Sequence, residues 1–300
     1  MLMDYFLNAR QPFSLTSVIR SHGWFQLLPF ASPEDASSLE YVLELSGGKV
    51  VRLTFREADA GANLTINEEM DAVDLEEVQA VAAWMLELDF DLSKFYAIAR
   101  DEPKLAHAET NARGRILRCA TVFEDVVKTI LTTNTSWGGT KRMLRGLVEK
   151  YGAALASDPD QKAFPTASRL AEANVEALRQ ECKLGYRAPY VLELAQKQAA
   201  GEIDLEALKT NRLPTAELRR QLLALKGVGD YAAANLLMLL ERYDYIPVDS
   251  WALSMVSKEW YAGQPIGRVE VEAAFERWGE WKGMAYWLWD WSANSPATDG

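Results

Sequence analysis

Apolar and polar positions change their rhythm near residue 73. Before it, Leu39-Glu-Tyr-Val-Leu-Glu-Leu45 alternates imperfectly, Lys49-Val-Val-Arg-Leu-Thr-Phe55 follows a Gly47-Gly48 turn, and Asn63-Leu-Thr-Ile-Asn67 is a third short run. Two β-type runs across Ser-Gly-Gly predict a hairpin, and the third completes a small antiparallel sheet. After residue 73 the spacing is helical almost throughout. Segment 74–88 is amphipathic, 118–131 is strongly apolar, and 140–151 is a basic amphipathic helix closed by Gly152. A loop with Pro159 and Pro165 leads to helices over 167–182 and 188–200. Shorter helices follow at 205–209 and 215–225, then others at 231–240, 251–260, 269–278 and 284–291. The expected fold is α+β and predominantly α. An N-terminal antiparallel β domain over 1–73 packs on a two-part helical body over 74–300.

With 49% hydrophobic residues, ten tryptophans and no long polar tract, the 300 residues describe a packed globular protein. Two cysteines, Cys119 and Cys182, give neither a disulfide framework nor a zinc or iron–sulfur ligand set. The opening Met-Leu-Met-Asp-Tyr-Phe-Leu-Asn has no basic region and no long apolar run, so no secretory signal is expected, and no stretch approaches a membrane span. An intracellular protein is the expectation, cytoplasmic and nucleoid-associated if bacterial. The net charge of −11 argues against a nucleic-acid partner unless cations are grouped locally. They do gather at Lys141, Arg142 and Arg145, at Lys183 and Arg187, and at Arg219, Arg220 and Lys226. Each group also reads as an ordinary solvated helix face.

The densest chemistry lies in Leu225-Lys-Gly227-Val-Gly229-Asp-Tyr231-Ala-Ala-Ala-Asn235, followed by Ile246-Pro-Val-Asp249. Gly227 and Gly229 permit the positive dihedrals and close approach of a tight helix-to-helix turn. Backbone N–H groups at the start of the next helix, with its dipole, can then hold a phosphate, and Lys226 can add a point charge. The same residues also read as a helical C-cap joined to a second helix. Asp249 after Pro-Val reads equally as an N-cap for the helix that follows.

The whole string from Leu225 to Asp249 resembles the helix-hairpin-helix DNA glycosylases with a Gly-Pro-Asp-type motif, the superfamily of 8-oxoguanine, adenine and alkylated-base glycosylases. Phe164-Pro-Thr, Leu184-Gly-Tyr-Arg-Ala188-x-Tyr190-Val and the Leu-Asp-x-Asp-Leu-x-x-Phe-Tyr pattern ending at Tyr96 are similar to the 8-oxoguanine branch. Trp281-Lys-Gly-Met-Ala-Tyr-Trp-Leu-Trp289 is closer to the alkylbase (3-methyladenine type II) branch. The Gly-Gln element of the 8-oxoguanine enzymes is absent, and His22-Gly-Trp24-Phe stands in its place.

The resemblance implies a helix-hairpin-helix over about 215–240 and assigns Asp249 as the catalytic carboxylate. Such a carboxylate stabilises the oxocarbenium character that develops as an N-glycosidic bond breaks, and it can orient the attacking water. Bifunctional members carry a lysine where this chain has Tyr231. A phenol forms no Schiff base, so base removal without strand cleavage is expected, with Lys226 the substitute amine if that reading is wrong. The loop 132–139 is the expected wedge into the duplex, with Asn134 or Thr135 at the inserted position. Tyr231, Asn235, Tyr286 and Asp290 are the expected base pocket, the last two placed four apart on one helix face. Gly227, Gly229 and Lys226 are the expected phosphate grip.

No redox cofactor or catalytic metal is expected; the resemblance allows a structural monovalent cation on hairpin carbonyls. The expected partner is double-stranded DNA with damaged, alkylated bases, met by a monomer. The rival readings are an oxidised-base glycosylase and a non-catalytic lesion-binding protein.

Overall fold

A computed structural model describes residues 2–292. Strands β1 (Met3–Asn8), β2 (Phe30–Ala31), β3 (Ser38–Glu44), β4 (Val50–Ala58) and β5 (Gly61–Ile66) form one antiparallel sheet in the order β1-β5-β4-β3-β2. The alternation sets the register. Leu39 faces Phe55, Tyr41 faces Leu53, and Phe55 in turn faces Leu64. All five side chains are buried, each contributing about 2 kcal/mol through lost apolar surface. The β3–β4 turn works as predicted, with Gly48 at φ +82° and its amide bound to the Leu45 carbonyl at 2.8 Å.

The chain does not divide at residue 73. It forms two compact, discontinuous units. The first comprises Met1–Phe90, Arg115–Asn211 and Leu225–Gly227; the second comprises Asp91–Gly114, Arg212–Ala224 and Val228–Gly300. The sheet stays with the first helices because a strand side chain, Tyr41, and Trp24 from the segment before β2 both reach the Val122–Thr132 helix. Tyr41 Oη donates to Glu124 at 2.5 Å and Trp24 Nε1 to Asp125 at 2.7 Å. Residues 91–114 instead close on the C-terminal helices, with Phe95 against Trp281 at 5.8 Å and Asp290 N bonded to Lys104 O at 3.0 Å.

The Val122–Thr132 helix, expected to be simply apolar, buries three charged residues, Glu124, Asp125 and Lys128. Lys128 Nζ sits 2.7 Å from Glu124 and over the Phe30 ring. Asp125 accepts from the Cys119 amide as well as from Trp24. Desolvation pushes the Asp125 carboxyl up to about 6 and the nearby His22 imidazole down to about 4.

Other boundaries moved for local reasons. The helix expected over 167–182 is two, Ala167–Ala171 and Val175–Gln180, because Asn174 caps the second by accepting from the Glu176 and Ala177 amides. A second, two-stranded sheet joins β6 (Ala154–Leu155) to β7 (Asp158–Lys162) where the prolines had suggested only a loop.

Candidate active site and DNA-engaging loop

In the second unit, Asp249 is the N-cap of the Ser250–Trp260 helix. Its Oδ1 accepts from the Ala252 amide at 2.8 Å, and no hydrogen bond engages Oδ2 among the described residues. Capping and chemistry are therefore compatible in one carboxylate: one oxygen fixes the group and the other stays open. Two phenols share its surroundings. Burial, then the Asp249 charge, raises the Tyr231 phenol. Burial, Asp249 and Tyr231, in that order, push Tyr286 far above the usual phenol range. Both rings therefore stay protonated at any ordinary pH and keep an O–H to donate.

Tyr286 is buried, whereas Tyr231 is 38% and Trp251 46% exposed. Trp251 meets Tyr286 edge-on at 6.3 Å. Sequence reasoning passed over Trp251; its signal was a bulky aromatic two residues past the candidate carboxylate, on the first turn of a helix. Asn235 stands one helical turn from Tyr231 and donates to its carbonyl at 2.8 Å.

Asp290 does not join this group. The last helix, Lys282–Leu288, ends before it, so the expected four-residue spacing with Tyr286 is not helical. Its exposed carboxylate accepts from the Ser292 amide at 3.0 Å, and its charge interacts with Lys104 and His107.

At the hairpin, Gly227 has φ +88°, and a Cβ there would lie 2.9 Å from the Tyr190 ring, so both demands made of this glycine are met. Gly229 differs from expectation. Its φ of −96° needs no glycine; it is the N-cap of the Asp230–Leu239 helix, and a Cβ there would meet open space. A missing side chain at that position leaves the first-turn amides uncovered. Lys226 is ion-paired with Glu193 at 2.5 Å, and Arg219 with Asp230, so neither is an unengaged cation. Lys141, Arg142 and Arg145 make no ion pair among the described residues.

The predicted wedge loop belongs to the first unit and joins the Val122–Thr132 and Trp137–Tyr151 helices. Asn134 and Thr135 are exposed, and Asn134 has φ +47°, a left-handed conformation that asparagine tolerates better than most residues. Ser136 caps the next helix by accepting from the Gly139 amide at 3.2 Å. The Thr135 hydroxyl occupies the space that a Cβ on Gly139 would need.

Arg187, grouped in the sequence with surface cations, is buried. Its guanidinium donates to the carbonyls of Thr133 and Asn134 and stacks on the exposed Tyr186 ring at 4.4 Å. Asn134 Nδ2 approaches the Tyr186 hydroxyl at 3.4 Å. No group of three or more His, Cys, Asp or Glu side chains among the described residues is placed to hold a metal ion, so a hairpin cation would depend on backbone carbonyls.

A family signature described as HhH-GPD superfamily base excision DNA repair protein matches residues 127–280, slightly more than half the chain. The chain belongs to that superfamily. It is a DNA glycosylase of the HhH-GPD type, and DNA is its partner. A probable N-glycosylase/DNA lyase of Methanothermobacter thermautotrophicus is 26% identical over 66% of this chain and 69% of its own length. A DNA-3-methyladenine glycosylase of Bacillus subtilis is 24% identical over 71% of each.

Among solved structures, the 3-methyladenine DNA-glycosylase from Archaeoglobus fulgidus superposes with a TM-score of 0.75 at 21% identity, over 95% of this chain and 97% of that one. The 8-oxoguanine glycosylase/lyase of Clostridium acetobutylicum, in complex with DNA, gives 0.72 at 22% identity over 97% of both. These likenesses bear on the fold, which includes the N-terminal sheet. No helix among the described residues is long and apolar enough to cross a membrane.

Proposed function

We propose that this HhH-GPD glycosylase is monofunctional and removes alkylated purines by hydrolysis. The observation that carries the reading is the composition of the Asp249 surroundings: a carboxylate with one open oxygen, two protonated phenols and an exposed indole. In the reaction the C1′–N bond breaks as water adds to C1′. Asp249 stabilises the positive charge on the sugar and orients or accepts a proton from the water. A purine alkylated at N3 or N7 is cationic and leaves as a neutral base, so the departing nitrogen needs no general acid. Raised phenol pKa values make Tyr231 and Tyr286 poor acids, and the arrangement suits this kind of leaving group. The Tyr231, Trp251 and Tyr286 rings suit an electron-poor base through stacking and cation–π attraction.

The Asn134 loop is read as the wedge that offsets the few kcal/mol of unstacking. Phosphates are held by uncovered amides at the start of the Asp230–Leu239 helix and by the solvated Lys141, Arg142 and Arg145. The matched relatives bear names of both kinds, a 3-methyladenine glycosylase and an N-glycosylase/DNA lyase. Tyr231, where a lyase would carry lysine, favours the former.

A panel of duplexes tests the substrate class: release of 3-methyladenine or 7-methylguanine is expected, and release of 8-oxoguanine alone would overturn it. Borohydride trapping tests the mode. The unmodified protein should give no covalent adduct with DNA, whereas an adduct would show an amine at work. Tyr231→Lys places an amine in the same position and is expected to create trapping.

A further inference from the structure

We propose that Gly23 and Gln26 brace the Asn134 loop through Trp137, and so set how well this protein fills the gap in a duplex that has lost a base from the stack. The inference rests on the reading of that loop as the wedge. Trp137 is the first residue of its helix, three positions after Asn134. It is 37% exposed, so packing of the interior does not account for it. Its indole N–H donates to Gln26 Oε1 at 2.9 Å. Its ring lies directly on Gly23, where a Cβ would come within 2.6 Å of Cη2 and Cζ2. Any side chain at position 23 would displace the ring. Both partners belong to the short Gly23–Gln26 turn, which overlaps the His22-Gly-Trp24-Phe segment that departs from the 8-oxoguanine pattern and runs one residue past it.

The other flank of the loop is held by Arg187, which donates to the Thr133 and Asn134 carbonyls. The tip between these anchors, Asn134 and Thr135, stays exposed. This is the arrangement a wedge requires: a backbone that does not yield when pressed between stacked bases, carrying a tip with open surroundings. Binding to a preorganised loop avoids the ordering cost that a free loop would incur at that moment. Trp137, Gln26 and Gly23 are positioning residues; none need touch DNA.

The test compares affinity for a duplex containing one tetrahydrofuran abasic analogue with affinity for the same duplex intact, so no knowledge of the excised base is required. Gln26→Leu and Trp137→Phe each remove the hydrogen bond, and Gln26 is exposed, so folding is not at stake. Both should lower the preference for the abasic duplex about tenfold, equivalent to about 1.4 kcal/mol, with affinity for intact duplex changed less than about twofold. Gln26→Glu keeps an acceptor oxygen and should keep the preference.

Asn134→Gly serves as the reference. If it lowers the preference while Gln26→Leu and Trp137→Phe do not, the brace is overturned and the wedge stands. If none of the three does, the wedge reading falls and the brace with it. Equal weakening of both duplexes by the brace variants would mark a general structural role and also overturn the proposal.

Discussion

Around Asn134 the backbone is held at both flanks, by Arg187 on two carbonyls and by Trp137 on Gln26, while the tip side chains stay exposed. Around Asp249 the reverse holds: one oxygen is fixed by the Ala252 amide and the other is left open beside protonated rings. The first region lies in one unit of the chain and the second in the other. Mechanical work asks for saturation of the backbone, because every unpaired group is a route for the loop to give way. Chemical work asks for one group left deliberately under-bonded in partly desolvated surroundings, where its charge has the largest effect. Local cation content separates neither region, since Lys226, Arg219 and Arg187 are all engaged inside the protein.

The largest effect expected from this contrast is at Asp249. Asp249→Asn keeps an oxygen for the Ala252 amide and should fold normally, yet lose about 10³-fold in single-turnover base release. Asp249→Ala should lose the same rate and also about 1 kcal/mol of stability, read from urea unfolding, because the cap goes with the charge.

The next effect concerns acid sensitivity, which the contrast assigns to the interior of the first unit. His22, held down to about 4, gives stability that is complete above its ordinary value and is lost as pH falls towards 4. Asp125, held up to about 6, acts in the opposite sense: the folded state takes up its proton first and gains stability as pH falls below 6. The two nearly cancel in the unmodified protein, with Lys128 beside both and Glu124 beside Asp125. Unfolding midpoints at pH 6.5 and 4.5 should show His22→Gln gaining about 2–3 kcal/mol on acidification relative to the unmodified chain, and Asp125→Asn losing a similar amount. Parallel slopes in all three would break this account.

Smaller effects belong to the hairpin. Gly227→Ala should cost about 1–2 kcal/mol in unfolding free energy, since a positive φ and the Tyr190 ring both oppose a Cβ. Lys226→Met should change DNA affinity less than about twofold and leave its salt dependence unaltered, because that ammonium already faces Glu193.

The sheet and most helices were legible because burial follows the alternation at Leu39, Tyr41 and Leu43 and the helical spacing after residue 73. That Asp249 and Tyr231 share surroundings was legible because one local string carries both. What escaped was set by contacts distant in sequence. Arg187 looks like a surface cation until its carbonyl partners, more than fifty residues earlier, are known. Gln26 and Trp137 are 111 residues apart, and no periodicity links them. Asp290 was misplaced because a helix end moved, and i,i+4 arguments fail completely past a terminus. The unit boundary was misplaced because burial of Tyr41 and Trp24 against the Val122–Thr132 helix is invisible in the change of rhythm at residue 73.

The division between wedge and chemistry is tested most directly by measuring two quantities on two variants. Single-turnover release of an alkylated purine and preference for a tetrahydrofuran duplex over an intact one are determined for Asp249→Asn and Asn134→Gly. The account predicts that Asp249→Asn slows release about 10³-fold and keeps the preference. Asn134→Gly should lose the preference, yet release base normally from a target placed in an unpaired bulge. Release at close to the unmodified rate in Asp249→Asn, or its loss from the bulge in Asn134→Gly, would contradict it.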